Sequence, residues 1–446
     1  MFIPNDVQII LETLKDNGYE AYIVGGSVRD FITGTDVPKD YDIATNALPE
    51  KILKLFQKTI PTGIKHGTVT VMINKEGYEV TTYRVDGEYL DSRKPEGVTF
   101  VSNLEEDLAR RDFTMNALAF NKEYGIIDYF GGIEDLNNKI IKAVGEPNKR
   151  FQEDALRMLR AIRFAARLDF HIEDRTLEAI KVNSKLILNI SNERIRDELC
   201  KMLVSTNATK AFRLLEQTKL LEFILPELQK AVGFNQQNQY HDKDIFEHTL
   251  AVVENCSGSL SLRVAALLHD IAKPLCFTTD EDGIGHFYGH DKKGVILCQQ
   301  ILKRLKFDNE SISRISLLVK EHMNVLEKPT DSSVKRLINR VGVDLIPYLF
   351  ALQRADALGS ASPIVRLEEI QKVEEKTKNI LEAKVPLAIS EIAVNGEDLI
   401  REFSLKPGVE IGNMLRFLLE KVLDNPEINI KEKLIAIIYD EYIDSK

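Results

Sequence analysis

Tryptophan is absent from the 446 residues, an absence that by itself excludes no fold or function. Cysteine is scarce: Cys200, Cys256, Cys276 and Cys298 stand far apart with no CxxC pair. Reduced thiols in a cytoplasmic protein are the simplest account of that pattern. No apolar run approaches the roughly 18–20 residues that a membrane helix needs, so no membrane partner is expected. The opening "MFIPNDVQIILETLKDNGYE" has no basic n-region and no cleavage-like site, and no signal peptide is expected. Positive charge is in deficit, 59 Lys and Arg against 69 Asp and Glu, a net charge of −10. That balance argues against a protein that coats nucleic acid. It leaves room for a nucleic-acid enzyme, because partners feel local stripes of charge rather than totals. Internal repeats and low-complexity tracts are also missing.

The length exceeds one ordinary core and predicts two to four domains. With 44% hydrophobic and 29% charged residues, the composition is that of a globular protein. Residues 1–140 mix patterns. "VQIILETLKDNG" predicts a helix closed by Gly18, and "EAYIVGG" a strand entering a glycine turn. "TVTVMI" and "YEVTTYRV" predict a hairpin turned at "NKEG". "YFGGIEDLNNKII" closes this α/β part. Beyond about residue 140 strand signals nearly vanish, and "EDALRMLRAIRFAARL" is patterned as one helix. The expected class is therefore α+β and multidomain: an α/β head (1–140), then a long all-helical part that begins with a neck (141–205).

Chemistry concentrates first in the head. Gly25 and Gly26 in "IVGGSVRDFITGT" open the backbone at a helix start, where amide N–H groups suit phosphate oxygens. Arg29 stands close enough in sequence to reach the same anion. In "KDYDIAT", Asp40 and Asp42 are two apart; on a strand both carboxylates project from one face. Oxygen ligands so placed suit a hard cation, most simply Mg²⁺, completed by nucleotide phosphates. Glu79, opening the return strand of the hairpin, fits as a third carboxylate, and three such groups suit two cations in phosphoryl transfer. "LARRDFTMNALAF" adds Arg110, Arg111 and Asp112, with Asp112 expected to cap a helix "FTMNALAF" while an arginine faces phosphate.

In the neck helix, Asp154 and Arg157 are three apart and expected on one face. An intrahelical salt bridge is the plain reading. The chemical one is base selection. Cytosine and adenine each present an amino donor beside a ring-nitrogen acceptor, so a carboxylate beside a guanidinium accepts both and refuses uracil and guanine. Arg160, Arg163 and Arg167 continue a basic ridge suited to phosphate.

Taken together, "GGSVRDFITG", "DYDIAT", "RRDFTMNAL", "GGIEDLNNKII", "EDALRMLRAIRFAARL" and "ERIRDEL" resemble the class II tRNA nucleotidyltransferase and bacterial poly(A) polymerase superfamily, specifically the CCA-adding enzymes. The resemblance covers roughly the first 200 residues. It implies a polymerase-β-like nucleotidyltransferase head with a small mixed sheet, followed by the helical neck, a helical body (206–360) and a helical tail (361–446) that hold tRNA. It assigns metal binding to Asp40 and Asp42, with Glu79 as the third carboxylate of the catalytic set. It assigns nucleotide binding to Gly25, Gly26, Arg29, Arg111, Asp154 and Arg157, supported by Arg160 and Arg163. The implied activity is template-independent addition or repair of the tRNA 3′-CCA from CTP and ATP, with release of pyrophosphate. CC-adding members lack part of a loop; here 83–108, with Asp86, Arg93 and Lys94, is full length and favours an enzyme able to add the terminal A. Addition of A only and poly(A) synthesis are the alternatives within the superfamily.

Five of the eight histidines fall between residues 241 and 290. His248, His269–Asp270, His290, His322 and Asp356 form an ordered series that resembles the HD phosphohydrolase pattern, with Lys273 placed to meet a phosphate. Mixed imidazole and carboxylate ligands suit a first-row ion such as Mn²⁺, Ni²⁺ or Co²⁺ more than calcium. The rival reading from another class is an HD phosphohydrolase whose head binds a nucleotide only as a regulator.

Overall fold

The computed structural model describes residues 3–34, 40–87, 97–237, 243–361 and 363–443. It divides into two compact units, residues 1–229 and 230–446. No helix among the described residues is long and apolar enough to cross a membrane.

A seven-stranded mixed sheet organises the first unit. From one edge its order is Thr59–Gly63, Thr68–Ile73, Glu76–Thr82, Asp42–Thr45, Ala21–Val24, Leu118–Asn121 and Gly125–Asp128. Every neighbouring pair is antiparallel except Asp42–Thr45 with Glu76–Thr82. The hairpin lies where its alternation predicts, but its turn is tighter. Asn74 and Lys75 both have positive φ (49° and 72°), a two-residue turn whose twist suits a hairpin. The return strand therefore begins at Glu76, and Glu79 lies in its middle rather than at its start.

Tyr22, Val24 and Ala44 project from one face of this sheet onto Leu104 and Leu108 of the helix Leu104–Ala109, with Tyr83 filling the space between. Fully burying a side chain such as Leu108 contributes roughly 1.5–3 kcal/mol. "FTMNALAF" does not continue as a helix. Thr114–Asn116 makes one tight turn, and Leu118–Asn121 joins the sheet between Ala21–Val24 and Gly125–Asp128. Two strand partners outweigh the helical propensity of the alanines and leucine.

The long neck helix is also interrupted. One helix spans Pro147–Glu153 and a second Leu156–Leu168, with Asp154 extended between them (φ −138°, ψ 104°). Downstream of the head, strands shrink to two-residue pairs.

The second unit is helical. Asp244, Ser259 and Asp308 each accept a backbone N–H at the start of Ile245–Asn255, Leu260–Leu268 and Asn309–Glu321, respectively. Ile245–Asn255 packs on Ile346–Gly359, and His290–Arg304 on Asn309–Glu321. Gly359 lets the first pair close, since a Cβ there would stand 3.0 Å from Val252 and 3.4 Å from the His248 ring.

Candidate active site and metal centre

Strand register builds the head site. Val24 pairs with Asp42, so the chain leaves one strand into Gly25 at the same end of the sheet where the next begins. Ile43 pairs in parallel with Val80, which sets Asp42 beside Glu79, one position earlier on both strands and on the face shared by Ala44 and Thr81. Both carboxylates are exposed there. The strand starts at Asp42, however, so Asp40 precedes it and the strict alternation expected of the pair does not apply. Asp40, Asp42 and Glu79 do not converge as tightly as the clusters in the second unit described below.

Gly25 has φ 77° and ψ −134°, a conformation open essentially to glycine, and its N–H donates to the Leu118 carbonyl at 3.0 Å. A Cβ at Gly25 would sit 2.8 Å from Arg111 Nη1 and 3.9 Å from Asp42 Oδ2. The guanidinium thus lies directly over the turn, delivered by the end of the core-covering helix. Its only ion pair among the described residues is a long one, 3.7 Å to Asp107, and its Nε has no hydrogen-bond partner. Burial pulls the Arg111 pKa down, against the pull of Asp107. Desolvation raises the Asp42 pKa, opposed by Arg111 and helped by Asp40. A buried guanidinium left this poorly satisfied suits an anion, and the open carboxylate beside it a cation.

Arg29 is placed elsewhere than expected. It is buried, paired with Asp30 at 2.7 Å and donating to Asn116 Oδ1 at 2.6 Å, so its charge serves the fold rather than an open anion site. Asn116 in turn donates to Asp112 (2.9 Å), which accepts from Arg160 (2.8 Å). Burial alone would raise the Asp112 pKa, but Arg160 and Asn116 hold it at about 2. Asp112 therefore ties the head to the neck instead of capping a helix.

Asp154 and Arg157 do not pair. Arg157 donates to Glu153 (2.8 Å) and to the carbonyl of Arg110 (2.9 Å), next door to Arg111. Asp154 Oδ1 accepts the Leu156 N–H (3.0 Å), and Oδ2 pairs with Arg194 at 2.9 Å. The helix break at Asp154 is the reason, since three-residue spacing places side chains together only on an unbroken helix. Arg163 is paired with buried Glu198 at 2.5 Å. Arg194 and Glu198 both lie in "ERIRDEL", a stretch recognisable as a motif but giving no local sign of its partners. Arg93 and Lys94, and the side chain of Asp86, lie outside the described residues.

In the second unit the expected series converges. His248, His269 and Asp356 offer ligand atoms mutually within 4.8 Å, as do Asp270, His290 and His322, and all six residues are buried. Asp270 spans the two groups. Its Oδ2 lies 3.5 Å from His248 Nε2 and 3.1 Å from His269 Nε2; its Oδ1 lies 3.4 Å from His290 Nε2 and 3.6 Å from His322 Nε2. Every ring turns its Nδ1 to a backbone carbonyl: Gly359 (3.3 Å), Ala266 (2.8 Å), Phe287 (2.8 Å) and Val319 (2.6 Å) for His248, His269, His290 and His322. A nitrogen facing a carbonyl carries the proton, so in the neutral ring Nε2 is the lone pair turned inward. The Nε2 atoms of His269, His290 and His322 are buried without a hydrogen-bond partner. Imidazole lone pairs facing carboxylates are matched by a cation, and this donor set fits a first-row divalent ion. Lys273 Nζ stands 2.7 Å from Asp270 Oδ2 and donates to Gln236 at 3.0 Å. Arg366, which the sequence did not single out, pairs with Asp356 Oδ2 at 2.9 Å.

A mixed sheet with a glycine turn at the strand end is the fold of a polymerase-β-like nucleotidyltransferase head. Residues 21–142 match the family model of the Poly A polymerase head domain. Residues 169–232 match "Probable RNA and SrmB- binding site of polymerase A", and 296–438 match tRNA nucleotidyltransferase domain 2. A CCA-adding enzyme of Lactobacillus helveticus is 38% identical over 416 residues, 93% of this chain and 92% of its own. One from Ligilactobacillus salivarius is 36% identical over 430 residues, 96% and 94% of the two chains. The crystal structure of the Bacillus stearothermophilus CCA-adding enzyme in complex with CTP superposes with a TM-score of 0.75 at 31% identity, covering 99% of both chains. The chain belongs to the family of CCA-adding enzymes, the tRNA nucleotidyltransferases, whose chemistry is metal-dependent.

Proposed function

We propose that this chain is a cytoplasmic enzyme that adds or repairs the 3′-terminal CCA of tRNA from CTP and ATP. The observation that carries the reading is the end of the sheet where Asp42 and Glu79 share a face beside Gly25, with the under-satisfied Arg111 guanidinium over the turn. Mg²⁺ held by Asp40 and Asp42, with Glu79 as third carboxylate, would supply activation of the RNA 3′-hydroxyl and screening of the leaving pyrophosphate. The residues themselves position the reactants. Gly25 and Gly26 leave room for phosphate oxygens at the helix start, and Arg111 neutralises them. The 3′-oxygen bonds to the α-phosphorus as the bond to pyrophosphate breaks. Base selection falls to Asp154 and Arg157, supported by Arg160 and Arg163. Arg194 keeps the Asp154 carboxylate in place while Arg157 exchanges its Glu153 contact for the base. The helical neck, body and tail hold the tRNA.

The test offers the protein transcripts ending before CCA, after C and after CC, with each labelled nucleotide and Mg²⁺. Incorporation of C, C and one A supports the proposal. A alone, only on the CC-ended transcript, makes the enzyme A-adding; a long A tail on any RNA makes it a poly(A) polymerase.

A second reading stands beside the first because of the inward-facing imidazoles: the body is an HD-type phosphohydrolase loaded with Mn²⁺, Ni²⁺ or Co²⁺. An Asp42→Ala protein that neither binds Mn²⁺ or Ni²⁺ nor hydrolyses phosphate esters would refute it.

A further inference from the structure

Resting on the phosphohydrolase reading of the body, we infer that Arg366 is the phosphate-anchoring residue of that site and that its substrates are dianionic phosphomonoesters. Asp356 is divided between two tasks. Its Oδ1 faces inward, 3.1 Å from His248 Nε2 and 3.7 Å from His269 Nε2, while its Oδ2 faces outward to Arg366 Nη2 at 2.9 Å. The guanidinium therefore stands one carboxylate away from the donor cluster, on the side away from His248.

Arg366 differs from the other cation at the site. Lys273 is buried and fully engaged, held between Asp270 and Gln236. The Arg366 side chain is 28% exposed, and among the described residues Asp356 is its one partner. No second hydrogen-bond or ion-pair partner of its guanidinium is found among the described residues, and its part-exposed N–H groups are open to a ligand. A planar fork with free donors beside a cation site matches the oxygens of a phosphate held there.

Charge selects the substrate class. Asp270 and Asp356 contribute two negative charges. Lys273, Arg366 and even a single divalent ion contribute four positive ones, and a second ion widens the excess. Such a field favours a dianionic monoester over a monoanionic diester.

The experiment uses the full chain carrying Asp42→Ala, so that head chemistry is silent, and compares it with Arg366→Ala and Arg366→Lys added. Calorimetry follows Mn²⁺ binding and then inorganic phosphate binding to the Mn²⁺-loaded protein. Hydrolysis of p-nitrophenyl phosphate and of bis(p-nitrophenyl) phosphate is measured alongside. The inference expects Mn²⁺ binding to persist in both Arg366 variants. It expects phosphate affinity to fall about tenfold or more in Arg366→Ala, as for loss of a charge-assisted hydrogen bond. KM for the monoester rises in parallel, Arg366→Lys recovers only part of the loss, and the parent prefers the monoester. Unchanged phosphate affinity in Arg366→Ala overturns the inference, as does preference for the diester. So does joint loss of Mn²⁺ and phosphate binding that Arg366→Lys fully restores, since Arg366 then acts only through Asp356. Failure of the parent to bind Mn²⁺ overturns the phosphohydrolase reading itself, a result distinct from the other three.

Discussion

In the first unit the acidic groups stand open to solvent on separate segments, whereas in the second six donors are already packed into the interior. The difference follows from where each set is held. Asp42 and Glu79 are fixed by backbone register at the end of a sheet, which sets their direction but leaves Asp40 to a segment ahead of the strand. The four histidines, each on a packed helix or at its end, are held at Nδ1 by a backbone carbonyl, which fixes ring angle and tautomer together. On the proposed reading, the head site is completed by its nucleotide, whose phosphates bring the missing oxygens, whereas the body donors already stand together.

The largest expected effect breaks the two apart. Asp42→Ala should lower nucleotide incorporation by at least about a thousandfold, on the order of losing a central electrostatic element, and leave phosphatase activity unchanged. His269→Ala should do the reverse, read on the same preparation with labelled CTP and a chromogenic phosphate. Next comes Gly25→Ala, which forces a side chain into a glycine-only conformation and against Arg111. It should cost about 1–3 kcal/mol of stability, seen as a lower midpoint in urea, and weaken triphosphate binding as well.

A smaller effect concerns the tie between head and neck. Asp112 has a folded pKa of about 2, below its ordinary 3.8. A depressed carboxylate stabilises the fold above its unfolded pKa, and that contribution disappears as the pH falls through the folded value. The group should contribute about 2 kcal/mol at neutral pH and lose it between about pH 4 and pH 2. Asp112→Asn should flatten that part of the acid-unfolding curve. The smallest expected change is in Arg194→Ala, which frees Asp154 Oδ2. The ratio of CTP to ATP use should shift several-fold, with pyrophosphate release otherwise intact, read by parallel single-nucleotide incorporation.

The two regions were unequally legible in sequence. The hairpin and the glycine turn follow from local patterns that carry their own geometry, whereas the six body donors were legible only as an ordered series resembling the HD pattern. The interruption at Asp154 was hidden, since "EDALRMLRAIRFAARL" keeps helical periodicity on both sides of the break. "FTMNALAF" was hidden too, because its strand state depends on partners about 95 residues before it and a few after it. The same holds for Arg29, Arg194 and Arg366: a surplus arginine looks alike in sequence whether it faces a phosphate or a buried carboxylate.

The most direct test titrates Mn²⁺ by electron paramagnetic resonance, with and without a non-hydrolysable CTP analogue, on the native chain, Asp42→Ala and Asp270→Ala. The account predicts tight Mn²⁺ binding without nucleotide that survives Asp42→Ala and is lost in Asp270→Ala. It also predicts a further class of bound Mn²⁺ that appears only with the analogue and is lost in Asp42→Ala. Nucleotide-free binding that disappears in Asp42→Ala, and persists in Asp270→Ala, would contradict it.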